Sequence, residues 1–288
     1  MRYKVLLILI PIVLSVFGCK IIDPQEQVPT YVKIDSFDFQ TIDPIKEGSG
    51  AQGITSVWIY YNNNPVGIFD LPCTVPVITE GDKGVLSVTP GITLNGLQDL
   101  QPQYPFFRFD TTAFFTNPGM IREYTPTTSY ISSAKFPFKE DFEVGNTFQE
   151  FTSGVIGDTS VIRTIAPGNV FEGGASGVIY LDANNPQCEN ISKAEFQIAK
   201  GESYLEVNYK CTAPFQVGLY NTLNSNVDAY DYIFGIKPSD TWKKIYIELG
   251  SYTSQNPGKN YRVMIKSELT DGMTSGYVLL DNVKVVSY

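Results

Sequence analysis

From residue 31 onward the chain is interrupted every 8–15 residues by Gly, Pro, Asn or Asp, and no stretch of 12 residues carries a helical period. Runs this short bury an apolar face as strands, whose side chains alternate between two sides, more readily than as helices. The pattern is that of stacked sheets and not of βαβ units. The chain therefore reads as all-β, with two β-sandwich domains in series. Its 288 residues are enough to build two cores.

Residues 31–130 make up the first sandwich. Residues 31–41 alternate as one strand, and residues 57–61 and 66–69 flank Asn62-Asn63-Asn64-Pro65. Asn tolerates left-handed backbone angles, so this segment predicts a hairpin with a tight turn. Trp58 lies in an unbroken apolar run with Val57 and Ile59 and is read as core. Polar residues 125–128 and 132–135, followed by Pro137, mark the boundary. Residues 136–288 make up the second sandwich, with strands expected at 204–210, 215–220, 230–236, 242–249 and 261–266.

The N-terminus has its own organisation. Arg2 and Lys4 precede an apolar run of 13 residues, 5–17, broken only by Pro11. That run suits a signal-peptide core and is too short to span a bilayer, which takes about 20 residues. It ends in Val16-Phe17-Gly18-Cys19, which resembles the lipobox of bacterial lipoproteins. The resemblance implies removal of residues 1–18 and acylation of Cys19 with palmitate-type chains. A tether over residues 19–30 and a membrane partner at the outer-membrane envelope follow from it. Losing Arg2 and Lys4 takes the net charge from −9 to −11, so the acyl anchor, and not charge, would hold the chain on anionic lipid.

The order of turns and strands over residues 57–88 looks like the PEGA-type and related small sandwich modules, which serve as spacers or interaction domains on cell envelopes. The second unit opens on Glu140-Asp141-Phe142-Glu143 and closes on Leu279-Leu280-Asp281-Asn282-Val283-Lys284-Val285. These ends resemble jelly-roll carbohydrate-binding modules, a fold in which the first and last strands lie side by side. Taken together, the three resemblances point to two-domain surface lipoproteins of Bacteroidetes. The jelly-roll resemblance also implies a structural Ca²⁺ where the first and last strands meet, with Glu143 and Asp281 as ligands.

There is no histidine in the chain, so no Ser-His-Asp or Cys-His nucleophile pair and no histidine metal site can form. Its 21 basic and 30 acidic residues argue against nucleic acid as a partner. A glycosidase would need two carboxylates flanking a bond, and Asp141 with Glu143 is a weak pair for that purpose. The expectation is a non-catalytic protein. Alternation sends Leu205, Val207 and Tyr209 inward, leaving Tyr204, Glu206 and Asn208 on the other side. Gln216, Tyr220, Trp242, Tyr246 and Arg262 are placed outward by the same rule. Rings among forked donors and acceptors suit sugars, so these eight residues form the candidate carbohydrate-binding face. Two alternatives stand beside it: the same aromatics are covered by loops or packed on the first domain, or the protein is an assembly component of the envelope that binds partner proteins. Cys188 and Cys211 share the second unit and could form a disulfide in an oxidising compartment, leaving Cys73 as a single buried thiol.

Overall fold

The computed structural model describes residues 26–79, 81–152, 154–222, 228–258 and 260–288. Cys19 and the apolar run before it lie outside the described residues. The chain is all-β, with 54% strand and 4% helix.

The first sandwich sets a three-stranded sheet against a four-stranded one. The smaller sheet runs Cys73–Val77, Thr30–Ile34, Ile121–Glu123, the last pair parallel. The larger runs Asn64–Asp70, Ile54–Tyr61, Lys83–Ile92, Asp110–Phe115. Between them Val32, Ile34, Val57, Ile59, Leu86, Val88 and Phe114 are buried. The hairpin forms at Asn62 and Asn63, both at positive φ (48° and 66°), the angles a primed turn requires. The segment expected as a single strand over 31–41 breaks in two, Thr30–Ile34 and Asp38–Phe39. A one-turn helix, Pro44–Glu47, follows and is capped by the Asp43 carboxylate accepting from the Lys46 N–H at 3.2 Å. Trp58 is not core. Val57 and Ile59 point inward, so strand alternation turns the indole to the outer face, where it is half-buried.

The second sandwich packs two six-stranded sheets. The first sheet runs Ile162–Thr164, Ser176–Asp182, Ser275–Ser287, Ser203–Cys211, Ser239–Glu248. Its long last strand pairs Ser176–Asp182 along one half and Lys135–Glu140 along the other, so the first and last strands of the unit lie side by side. The second sheet runs Phe148–Glu150, Gln187–Ser192, Asn260–Glu268, Phe215–Thr222, Asp228–Ile236, with Asp158–Thr159 beside Gln187–Ser192. Leu205, Val207, Phe215, Val217, Leu219, Ile245, Ile247, Val263 and Ile265 fill the space between the sheets.

Cys188 and Cys211 are not bonded to each other; both are free buried thiols. They sit on opposing sheets with separate partners. The Asn190 amide donates to Cys188 Sγ at 3.4 Å, and Cys211 Sγ lies 3.8 Å from the Lys237 carbonyl. Cys73 is a third free thiol and is half-buried.

A third core joins the two sandwiches. Ile92, Tyr104, Phe106, Phe107 and Tyr130 of the first pack on Tyr204, Tyr246 and Val286 of the second. The loop after Ile92 is tied down by backbone, with Asn95 N–H donating to the Tyr246 carbonyl at 2.8 Å. The Glu248 N–H donates in turn to Asn95 Oδ1 at 3.1 Å.

Candidate functional site

The outer face of the first sheet, where most of the expected sugar-binding residues stand, is closed. Tyr204, Glu206, Asn208 and Tyr246 are all buried beneath the first sandwich. Alternation gives the two sides of the strand, but this outer side is the core between the two sandwiches, and a ligand cannot reach these four residues. Tyr104 stacks edge-on against Tyr204 with centroids 5.0 Å apart, and it lies equally close to Tyr246. Trp242 stands at the rim, half-buried, its ring 5.2 Å from that of Phe171.

The centre of this junction is charged. The Glu206 carboxylate is fully buried and accepts from Tyr104 Oη at 2.7 Å, from Tyr130 Oη at 2.9 Å and from Lys244 Nζ at 3.1 Å. Burial alone would raise the pKa of Glu206. Lys244, Lys284 and the two phenols more than offset that and hold it below the usual carboxylate range. The phenols of Tyr104 and Tyr130 are pushed well up by burial and by the adjacent carboxylate, so they remain donors. Tyr246 Oη donates to Gln52 Oε1 at 3.0 Å and accepts the Gly53 N–H at 2.9 Å. Lys284 Nζ donates to the carbonyls of Glu47 and Ser49 at 2.8 and 3.2 Å. Every charge here is answered within the protein, which is the arrangement of a structural joint.

The open face is on the second sheet. Register places Gln216, Gly218 and Tyr220 beside Lys266, Met264 and Arg262 on one side, and Tyr220 beside Tyr230 on the other. Glu189 and Ile191 continue the same rows, opposite Lys266 and Met264. All of these side chains point away from the core. Gly218 is required here, because a Cβ would stand 2.1 Å from the Asp231 carbonyl oxygen and 3.0 Å from the Tyr232 Cα. This close approach lets Tyr232 reach across the sheet, where its hydroxyl donates to Glu189 Oε1 at 2.6 Å. Burial and that hydrogen bond push the Tyr232 phenol far up. Phe151 leans in from the opposite edge, 5.2 Å from Tyr230 and 6.0 Å from Tyr220. Ile191 and Met264 are buried even though they are on this outer side.

What remains accessible is a mixed surface. Tyr230 is 54% exposed, Gln216 is exposed, and Tyr220, Arg262, Lys266 and Glu189 are half-buried. Arg262 Nε donates to the Ser192 carbonyl at 2.5 Å, which orients the guanidinium fork. At one end the surface deepens into a cleft of about 230 Å³ bounded by Gln216, Gly235, Lys266 and Glu268. Of the eight expected residues, this face brings together Gln216, Tyr220 and Arg262. Sequence reasoning missed Phe151, Glu189, Tyr230 and Tyr232. The alternation of Tyr230 and Tyr232 was visible, but their side was hidden by the register shift between Val217 and Gly218.

Glu143 and Asp281 both take hydrogen bonds from the protein itself. Glu143 accepts the N–H groups of Gly174 and Ala175 at 2.9 and 3.2 Å. Asp281 accepts from Ser176 Oγ at 2.6 Å and from the Asn282 N–H at 2.8 Å. The two carboxylates thus hold the 174–176 segment, and no group of three or more Cys, Asp or Glu suited to a metal assembles among the described residues. Burial pushes the Asp281 carboxyl up to about 7. Glu140 is also committed, with Oε1 and Oε2 accepting the Phe142 and Thr147 N–H groups at 2.6 and 2.5 Å.

Among solved structures, the chain is similar to a xylan-binding module (CBM22-1) of Xyn10C from Paenibacillus barcinonensis, at 16% identity and a TM-score of 0.36 over 54% of this chain and 96% of the module. It is also similar to the module TmCBM61 solved with β-1,4-galactotriose, at 12% identity and a TM-score of 0.33 over 50% of this chain and 92% of that one. A carbohydrate-binding module of the β-sandwich superfamily matches at 14% identity and a TM-score of 0.34 over 80% of this chain and 84% of that one. No protein-family model and no curated protein matches the chain.

Proposed function

We propose that the protein is a non-catalytic glycan-binding protein whose ligand lies along the outer face of the second sheet of the C-terminal sandwich. One observation carries this reading: the face is open, and it interleaves the Tyr220 and Tyr230 rings with the forked or planar groups of Gln216, Arg262 and Glu189. A sugar presents an apolar C–H face to a ring and its hydroxyls to such groups. A large bare apolar patch would point to a partner protein; on this face polar groups stand among the rings. We further propose that acylated Cys19 anchors the protein in the bacterial envelope through the 19–30 tether. Mass spectrometry of the mature N-terminus reads this directly.

Affinity electrophoresis of the full chain against β-1,4-xylan, β-1,4-galactan, glucomannan and starch tests the binding face. At least one of these neutral polysaccharides should retard the protein. Tyr230→Ala with Arg262→Ala should weaken that retardation. No retardation by any of the four refutes the assignment.

A further inference from the structure

The first sandwich has an aromatic face of its own. Trp58 and Tyr60 share the outer side of the four-stranded sheet, because Val57, Ile59 and Tyr61 take the inner side. Both rings are half-buried and both are fixed at their polar edges. The indole Nε1 donates to the Gln101 carbonyl at 3.0 Å, and Tyr60 Oη accepts from Gln103 Nε2 at 2.8 Å. The Gln101 side chain is fixed in turn, its Nε2 donating to Asp70 Oδ1 at 2.5 Å.

The segment that supplies these amides is itself held. It folds back along the strand Lys83–Ile92, with the Ile92 N–H donating to the Pro102 carbonyl at 3.1 Å and the Tyr104 N–H to the Pro90 carbonyl at 3.2 Å. Between this segment and the sheet lies an open cleft of about 550 Å³, lined by Trp58, Ile68, Asp70, Gln98, Asp99 and Gln101 among others.

We propose that this cleft is a second glycan-binding site, for a neutral polysaccharide, distinct from the face on the C-terminal sandwich and not dependent on it. The chemistry of the lining selects the ligand. An immobilised indole offers a flat surface to a pyranose ring at little entropic cost. The second carboxylate oxygen of Asp70 and the amides of Gln98 and Gln101 offer acceptors and donors to hydroxyls. Among the described residues no lysine or arginine lines the cleft, while Asp70 and Asp99 do. A uronic-acid polymer, a phosphate-bearing glycan or a lipid headgroup would meet only negative charge here.

The site lies on a different sandwich from the first, and the sealed junction lies between the first sandwich and the first sheet of the second. The other face is on the far side of that second sandwich. Each site therefore engages its own stretch of polymer.

Tryptophan fluorescence of the full chain tests this, because Trp58 and Trp242 are its only two indoles. In Trp242→Phe, the emission reports on Trp58 alone. Titration with the same four neutral polysaccharides should give a saturable change with at least one of them. The change should persist when Tyr230→Ala and Arg262→Ala are added. Asp70→Ala with Gln101→Ala, both surface side chains, should weaken the change about tenfold; a thermal melt confirms that this variant is folded. No change with any of the four polysaccharides overturns the proposal. So does a change that vanishes when Tyr230 and Arg262 are removed, since Trp58 would then be reporting the other face. Conversely, in a chain already carrying Asp70→Ala and Gln101→Ala, retardation that Tyr230→Ala with Arg262→Ala leaves unchanged overturns the C-terminal assignment, and a Trp58 response leaves this one standing.

Discussion

Lys284 gives the junction a measurable pH signature. Its side chain is buried between the two sandwiches, donates to two carbonyls and stands 5.0 Å from the centre of the Tyr130 ring. Burial outweighs the attraction of Glu206 and lowers its pKa from 10.5 to about 8. That difference corresponds to about 3 kcal/mol. In the unfolded chain the amine holds its proton up to pH 10.5, whereas in the folded chain it releases it near 8. Between those values the unfolded state binds more protons, so stability contributed by this group rises with pH; below 8 both states are charged and the full cost is carried. Lys284→Met keeps an unbranched apolar stem and removes the charge. Urea denaturation of both proteins from pH 7.5 to 10 should show the wild type gaining about 2 kcal/mol on the variant. The buried thiols and phenols that titrate nearby are common to both proteins and cancel in the difference. Parallel curves would mean that Lys284 is not buried as a cation at neutral pH, and the account of the joint would fall with it.

Two further outcomes follow from the same structure. Asp281 is raised to about 7 by burial, so between pH 3.8 and 7 the folded state binds the extra proton and stability falls as pH rises. Asp281→Asn keeps an acceptor for Ser176 Oγ, and differential scanning fluorimetry should show it more stable than the wild type at pH 8, by up to about 4 kcal/mol, and nearly equal at pH 4. A shift of the same size at both pH values would sink that reading. Gly218→Ala drives a methyl into the Asp231 carbonyl, so it should cost about 1–3 kcal/mol in a urea melt and displace the strand bearing Tyr230 and Tyr232. Polysaccharide retardation should fall with it; a variant with wild-type stability and retardation would show that the strands are not this close.

The all-β architecture was legible because it is written in local chemistry. Asn62 and Asn63 announce a turn, and the alternation of Leu205, Val207 and Tyr209 with Tyr204, Glu206 and Asn208 gives the correct two sides of a strand. Alternation is silent on whether the second side meets water. A face built to bind a sugar and a face built to hold another domain both use tyrosines and charged groups. Glu206 and Lys244 did carry a cue. They come from adjacent strands and pair as opposite charges, which is what a buried face needs in order to pay for desolvating either one. The accessible side of the second sheet also sets opposite charges side by side, Lys266 with Glu268 at 3.7 Å and in register with Glu189, but there the ion pair faces water. The joint and the proposed binding face thus differ in what covers them, while the neighbours that meet on either face are a property of register. Register depends on where bulges fall, and single-strand periodicity cannot report it.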